Sequence, residues 1–438
     1  MRKKVLYYAS KFNSVAIGLS FLKWVFIGSI VGLFTGAAGA LFLKSLEVAT
    51  SLRIKYTWLL FCLPFGGAIV SFLYIKYGKN SIKGNNLIIE KINDETQELP
   101  VRMAVLVFLG TVVTHLFGGS AGREGTGVQI GASIAEGVSR VLKLDKFDTK
   151  IILVSGIGSG FASVFGTPLA GTLFGLEMNS IGTINYHALI SCFTASMVGN
   201  MVTTSLGIHH SHYKILGIPE VNYIILIKIV VCAVIFGLTS RLFSRSIGIL
   251  KSFFGKKVKS PVLKSAIGGT IVIILVYIFR TREFLGLSIP LMSEAFTSRV
   301  HPLTFLGKIL FTSVTLGTGF QGGEVTPLFV VGSTLGNALS GFFNMSPSFL
   351  ASLGLVGVFA GATNAPMASF ALGIEMFGAK GALLMFMVCI VSYVFSGHTG
   401  IYTSQKVVIS KSRLIEIPLN STLSYLNISK KEKTKDVK

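Results

Sequence analysis

The sequence predicts an all-α, polytopic membrane protein, and three observations carry that expectation. Of 438 residues, 51% are hydrophobic and only 13% charged, with a mean hydropathy of +0.70. A soluble domain carries about a quarter charged residues, so most of this surface is expected to face lipid. Second, a bilayer core takes about 20 apolar residues to cross, and the chain offers roughly a dozen apolar stretches. These include 24–43, 58–74, 103–116, 151–176, 188–206, 224–242, 267–278, 305–316, 328–339, 350–376 and 382–394. Third, no stretch alternates at strand period, which argues against a β-barrel.

The first apolar region is long and lacks a short signal-peptide pattern, so it is expected to stay as an anchor. The formal charge of +22 does not point to nucleic acid. Its Lys and Arg residues gather in polar breaks: Arg2, Lys3 and Lys4, then 76–91, 241–264 and 430–438. In a membrane protein such clusters mark cytoplasmic loops and contacts with anionic lipid. Both ends are basic, so both termini are expected in the cytoplasm, with an even number of crossings. Cys62, Cys192, Cys232 and Cys389 sit in apolar stretches at unrelated spacings and read as packing residues.

Glycine interrupts this pattern. The segments 117–127 (FGGSAGREGTG) and 317–327 (GTGFQGGEVTP) cannot continue a helix cheaply. Broken backbone at membrane depth survives only where protein buries it or where it lines a cavity. Two such breaks in corresponding halves point to a transporter's central site. The halves do correspond: Phe161, Ala162, Pro168, Gly175, Glu177 and Met178 match Phe359, Ala360, Pro366, Gly373, Glu375 and Met376 at an offset of 198. The breaks align at an offset of 200, Gly122–Thr126 against Gly322–Thr326. One transmembrane domain is expected, with a first repeat over about 15–210, a second over about 220–406, and a short polar cytoplasmic tail at 407–438. Spacing alone leaves parallel and inverted copies both open.

Of the 18 acidic residues, Glu124, Glu177, Glu324 and Glu375 have apolar or glycine-rich flanks on both sides. An ionisable group inside the membrane is costly, so function is the default hypothesis. Glu177 and Glu375 end the duplicated helices and read as caps or interface hydrogen bonds. Glu324 reads as a cap on donors at a helix start. Glu124, between Arg123 and Gly125, precedes the apolar run from Val128 and so sits at a helix N-terminus, a natural anion site. Its carboxylate would fill that site; once protonated it would yield it to a diffusing ion. The alternative is a buried cap paired with Arg123.

Gly-Arg-Glu-Gly-Thr lacks the ending and the preceding strand of a phosphate-binding loop. His209, His210 and His212 have metal-ligating chemistry, but a short His-rich loop between spans is the commoner meaning. No cofactor or metal is expected. An intramembrane enzyme would need a catalytic partner facing Glu124, and none stands out.

Three motifs in order resemble the CLC family of chloride channels and anion/proton antiporters, and within it the fluoride-exporting branch. Gly122-Arg123-Glu124-Gly125-Thr126 stands where the family has G-[KR]-E-G-P. Gly323-Glu324-Val325-Thr326-Pro327 stands for G-x-F-x-P, and Gly84-Asn85-Asn86-Leu87-Ile88 for G-S-G-I-P. The resemblance implies two inverted repeats and a homodimer with one pore per subunit. It implies Glu124 as the gating, proton-coupling glutamate. It further implies an anion path along Asn85, Asn86, Gly122, Arg123, Gly125, Thr126, Val325, Thr326 and Tyr402. The inner proton-relay glutamate of chloride antiporters falls at Met178, a departure that agrees with the fluoride branch. Fluoride holds its water tightly, so an amide donor at Asn85 or Asn86 and the hydroxyl of Thr326 suit it. The implied function is fluoride/proton antiport across a bacterial-type plasma membrane, with chloride or nitrate transport as the alternative.

Overall fold

The structure is a computed structural model that describes residues 13–94, 97–210, 213–418 and 420–426. The basic ends at 2–4 and 430–438, and His212, lie outside them. The first half contains α1 (Asn13–Lys55), α2 (Leu63–Leu73), α3 (Asn85–Asn93), α4 (Met103–Phe117), α5 (Glu124–Val141), α6 (Lys146–Phe165), α7 (Pro168–Glu177) and α8 (Leu189–Ser205). The second contains α9 (Tyr223–Lys257), α10 (Pro261–Phe279), α11 (Ile289–Thr297), α12 (Thr304–Gly317), α13 (Val325–Phe343), α14 (Pro347–Thr363), α15 (Pro366–Phe377) and α16 (Ala382–Phe395). Among the described residues five helical segments are long and apolar enough to cross a membrane, and several shorter apolar helices accompany them. At 43 residues α1 is about 65 Å long, twice the hydrocarbon thickness, so it tilts or projects beyond it.

The apolar stretches 151–176 and 350–376 are each two helices, not one. Gly166 (φ +76°) ends α6 and Asn364 (φ +60°) ends α14, both in the left-handed region. Pro168 and Pro366 then open the next helix, where a missing N–H costs nothing. The two corners obey the 198-residue offset read from the sequence. His210 packs directly on the first of them, where a Cβ at Gly166 would lie 2.4 Å from its ring.

The two repeats interlock by exchanging caps. Glu177 accepts from the N–H groups of Met367 and Ala368 at 3.2 and 2.8 Å, at the start of α15. Glu375 accepts from Leu169 and Ala170 at 2.9 and 2.8 Å, at the start of α7. Each carboxylate thus satisfies otherwise orphaned donors of the other repeat. The capping alternative read from the sequence is what forms. Close helix packing is duplicated as well. A Cβ at Gly131 on α5 would stand 2.1 Å from Gly156 O on α6, and one at Gly332 on α13 would stand 2.3 Å from Gly354 O on α14. Only glycine lets backbones approach so closely.

Residues 407–426 do not extend away as a tail. Strands β1 (Ser180–Ile181), β2 (Lys406–Val407) and β3 (Ser421–Thr422) form a small sheet, β1 parallel to β2 and β2 antiparallel to β3. Ile181, Val407, Leu423 and Leu426 close an apolar cluster beneath it. Lys411 pins the segment down by donating to Asn364 Oδ1, Tyr393 O and Ser396 Oγ at 2.6, 2.7 and 3.0 Å. A cation placed at the carbonyl ends of α14 and α16 meets their negative poles.

Candidate functional site

The glycine-rich breaks meet each other. Gly122 N–H donates to Gly323 O at 2.6 Å and Gly323 N–H to Gly122 O at 2.7 Å, an antiparallel bridge between the repeats. A Cβ on Gly122 would lie 2.8 Å from Pro327 Cδ and 3.0 Å from Glu124 Oε2, so this residue must be glycine. From the bridge, α5 and α13 begin with their N-terminal donors at the centre of the protein.

The bridge also corrects the alignment of the breaks. Gly122 pairs with Gly323, an offset of 201, so Glu124 corresponds to Val325 and Arg123 to Glu324. Matching the two glutamates at 200 placed them one residue out of register. Glu324 stands before α13, but its side chain makes no capping hydrogen bond. The cap expected of it is supplied by Glu124 from the other repeat.

Glu124 is wholly buried, at 0% exposure. Its Oε2 accepts from the Thr326 N–H at 3.0 Å and from the Arg123 N–H at 3.1 Å. The Thr326 hydroxyl donates to the carboxylate as well, 2.6 Å from Oε1. Arg123 Nε stands 3.5 Å from Oε1, a contact of charges rather than a hydrogen bond. The carboxylate therefore occupies the anion position at the N-terminus of α13, with donors around it that a diffusing anion would use. Beside it lies a cavity of about 30 Å³, bounded by Arg123, Thr326, Phe165, Phe329, Tyr213 and Ile289. That volume holds a water molecule or a bare ion of similar size.

The structure sorts the remaining candidates. Tyr402 is buried, its ring edge-on to Phe174 at 6.2 Å. Asn85 opens α3 beside the centre: its Nδ2 would lie 3.0 Å from a Cβ on Gly125, and its buried Oδ1 has no partner among the described residues. Val325 is buried at the start of α13. Gly125 serves close approach, since a Cβ there would meet Gly323 Cα at 3.1 Å.

Two candidates face elsewhere. Asn86 Oδ1 accepts from the Ser404 N–H at 2.9 Å, tying α3 to the loop that carries Tyr402. Thr126 pairs its hydroxyl with Thr111 of α4 at 2.7 Å. A helix turns about 100° per residue, so these side chains engage other elements than their neighbours Asn85 and Glu124 do.

A family model described as voltage gated chloride channel matches residues 66–397. The chain belongs to the CLC family. It is 43% identical over 395 residues to a protein of Pseudomonas syringae pv. tomato named chloride/fluoride channel protein, covering 89% of this chain and 87% of that one. It is 25% identical to the H(+)/Cl(-) exchange transporter ClcA of Vibrio cholerae, over 80% of this chain and 81% of that protein. Among solved structures it resembles a CLC-type fluoride/proton antiporter, with a TM-score of 0.86, 31% identity, and coverage of 88% and 98% of the two chains. A slow cyanobacterial Cl⁻/H⁺ antiporter shares the fold, with a TM-score of 0.77, 22% identity, and coverage of 87% and 96%.

One residue of this CLC protein escaped the sequence reading although it left a signal. Lys308 lies inside the apolar stretch 305–316, and a lysine there deserves the same suspicion as a carboxylate. It is fully buried and donates to Ser120 Oγ, Ser288 Oγ and Gly286 O at 3.0, 2.9 and 2.8 Å, with Phe284 O at 3.2 Å. His115 contacts Thr111 O and Ala121 O at 2.8 and 3.1 Å. Together they hold residues 120 and 121, which lead directly into Gly122.

Proposed function

We propose that this CLC protein is a fluoride/proton antiporter that exports fluoride, with Glu124 acting alternately as anion substitute and proton carrier. The observation that carries the reading is the Glu124 carboxylate seated on α13, where the N–H and hydroxyl of Thr326 converge on it. Hydroxyl and backbone donors aimed at one point are what a small, strongly hydrated anion needs in exchange for its water. The likeness to a relative named for chloride and fluoride, and to a solved fluoride/proton antiporter, supports it. Hydrogen fluoride crosses membranes as the neutral acid and dissociates inside a less acidic cell, which makes exporting the anion against proton entry a useful task.

The test is efflux from liposomes loaded with fluoride or chloride, read by ion-selective electrodes. Fluoride is expected to leave at least about tenfold faster, the factor given by a 1.4 kcal/mol preference. Equal rates would favour the chloride exchange named for the ClcA relatives. In the same assay Asn85→Ser is expected to raise the chloride-to-fluoride ratio by several-fold, about 1 kcal/mol. An unchanged ratio at normal fluoride flux would remove Asn85 from the anion path.

The proposal includes residues of about 15–210 and 220–406 as the two repeats, and a homodimer with one pore per subunit. Leu169, Ile190 and Phe193 on α7 and α8 offer exposed apolar surface for such a contact. It also includes cytoplasmic termini in an inner membrane. Lys23 near the start of α1 pairs with Asp148 on α6. At the same end of α6, Lys91, Arg140, Lys143, Lys146 and Lys150 surround one cavity, the asymmetry expected of a cytoplasmic face.

A further inference from the structure

The basic cavity has one carboxylate in its wall. It measures about 210 Å³ and opens where α5 ends and α6 begins. Glu136 lines it from α5 and is only 6% exposed. Arg140, one turn on, holds Oε1 through Nε and Nη2, both at 3.0 Å, and is itself anchored to Leu99 O at 2.9 Å. Oε2 is buried and has no partner among the described residues. One oxygen is therefore fixed and the other left available.

Further up α5 the same condition recurs. Ser133 Oγ and Gln129 Oε1 are buried and likewise lack partners among the described residues. Positions 129, 133 and 136 are spaced four and three apart, so they form one face of the helix. Gly127, Gly131 and Ala135 form the other and pack on Val164, Gly160 and Gly156 of α6. The polar face ends beneath α3, where a Cβ on Gly84 would stand 3.4 Å from Gln129 Nε2. Asn85, with its own partnerless Oδ1, follows at once beside Gly125. From Glu124 to Glu136 the helix rises about 18 Å, a little more than half the hydrocarbon thickness.

Buried oxygens left without hydrogen-bond partners are costly unless water meets them. A row of them along one helix is a place for a chain of waters, and oxygen acceptors suit a migrating proton while repelling a bare anion. We propose that Glu136 is the cytoplasmic proton port of this transporter. It is joined to Glu124 by water held along Gln129, Ser133 and Asn85. This rests on the antiport reading above.

In the inward step, protonated Glu124 gives its proton to the first water, and the last water gives one to Glu136 Oε2. Glu136 then releases it to the cavity and returns to the carboxylate. Facing it are Arg140 from its own helix, Lys91 from α3, Lys143 from the turn, and Lys146 and Lys150 from α6. They ring the cavity into which the port opens. The port on α5 is separate from Met178, the position to which the family resemblance assigns the inner glutamate of chloride antiporters. It would serve the proton without that residue.

The test uses full-length protein in liposomes, with proton uptake driven by a fluoride gradient and fluoride affinity measured by calorimetry. Glu136→Gln is expected to slow proton uptake at least about tenfold, to flatten its dependence on cytoplasmic-side pH, and to leave fluoride affinity unchanged. Glu136→Asp is expected to restore part of the rate. Ser133→Val, which fills the chain's midpoint and keeps Glu136, is expected to slow it as well. Wild-type proton rates in both Glu136→Gln and Ser133→Val would overturn the port. Fluoride flux without proton uptake in the unmodified protein would instead overturn the antiport reading.

Discussion

The Glu124→Gln protein is expected to lose proton uptake driven by a fluoride gradient, by about a hundredfold or more, the range for removing a proton-transferring group. The reason lies in what the carboxylate is doing. It accepts from Thr326 N–H, Thr326 O–H and Arg123 N–H, so it and a fluoride ion compete for one set of donors. Protonation removes the negative charge that the end of α13 attracts, and the site passes to the ion. The amide can accept from the Thr326 N–H, so the fold of the bridge should survive. What it cannot do is take up and release a proton at any relevant pH. Uncoupled fluoride leak is compatible with this, because a neutral side chain holds the site less strongly. Proton uptake at the normal rate in the Gln variant would remove Glu124 from the coupling role.

Features repeated along the chain were legible in the sequence; those set by orientation were not. The helical membrane class followed from hydropathy, and the 198-residue repeat matched Pro168 with Pro366 and the capping Glu177 with Glu375, while the corners at Gly166 and Asn364 inside the apolar stretches 151–176 and 350–376 were not read from it. The placement of Glu124 at a helix start was legible, because its carboxylate stands between Arg123 and Gly125 just before an apolar run. The offset of the breaks was not, because Glu124 and Glu324 match by residue type while the backbone pairs Gly122 with Gly323. The partners of Thr126 on α4 and of Asn86 at Ser404 were not legible either, because they depend on which way each side chain turns from its helix. Glu136 was hidden by its neighbourhood: Arg140 and Lys143 make it look like a solvated helix end, and only burial sets it apart. The packing of 407–426 depends on pairing between β1 and β2, more than two hundred residues apart in the chain, and its two-residue strands carry no periodicity.

Lys308→Met is expected to destabilise the protein by about 2 kcal/mol or more, the sum for two buried carbonyls left without a donor. Two effects oppose each other here. Methionine matches the lysine stem, and deleting a buried ammonium recovers its desolvation cost. Against that, four oxygens lose a donor: Ser120 Oγ, Ser288 Oγ, Gly286 O and Phe284 O. The hydroxyls can turn, and Ser120 keeps Thr312 Oγ1 at 2.9 Å. The carbonyls of Gly286 and Phe284 cannot turn without moving the chain, and each costs about 1–3 kcal/mol if left buried and unmet. Because Gly286 N–H also donates to Gly119 O at 3.2 Å, a shift there reaches the first break. Loss of stability should therefore come with loss of coupled transport. Thermal unfolding in detergent compares Lys308→Met with Lys256→Met, an exposed lysine whose replacement should stay within about 0.5 kcal/mol. Equal midpoints for the two variants would show that the acceptors around Lys308 find other donors and that it does not hold the break in place.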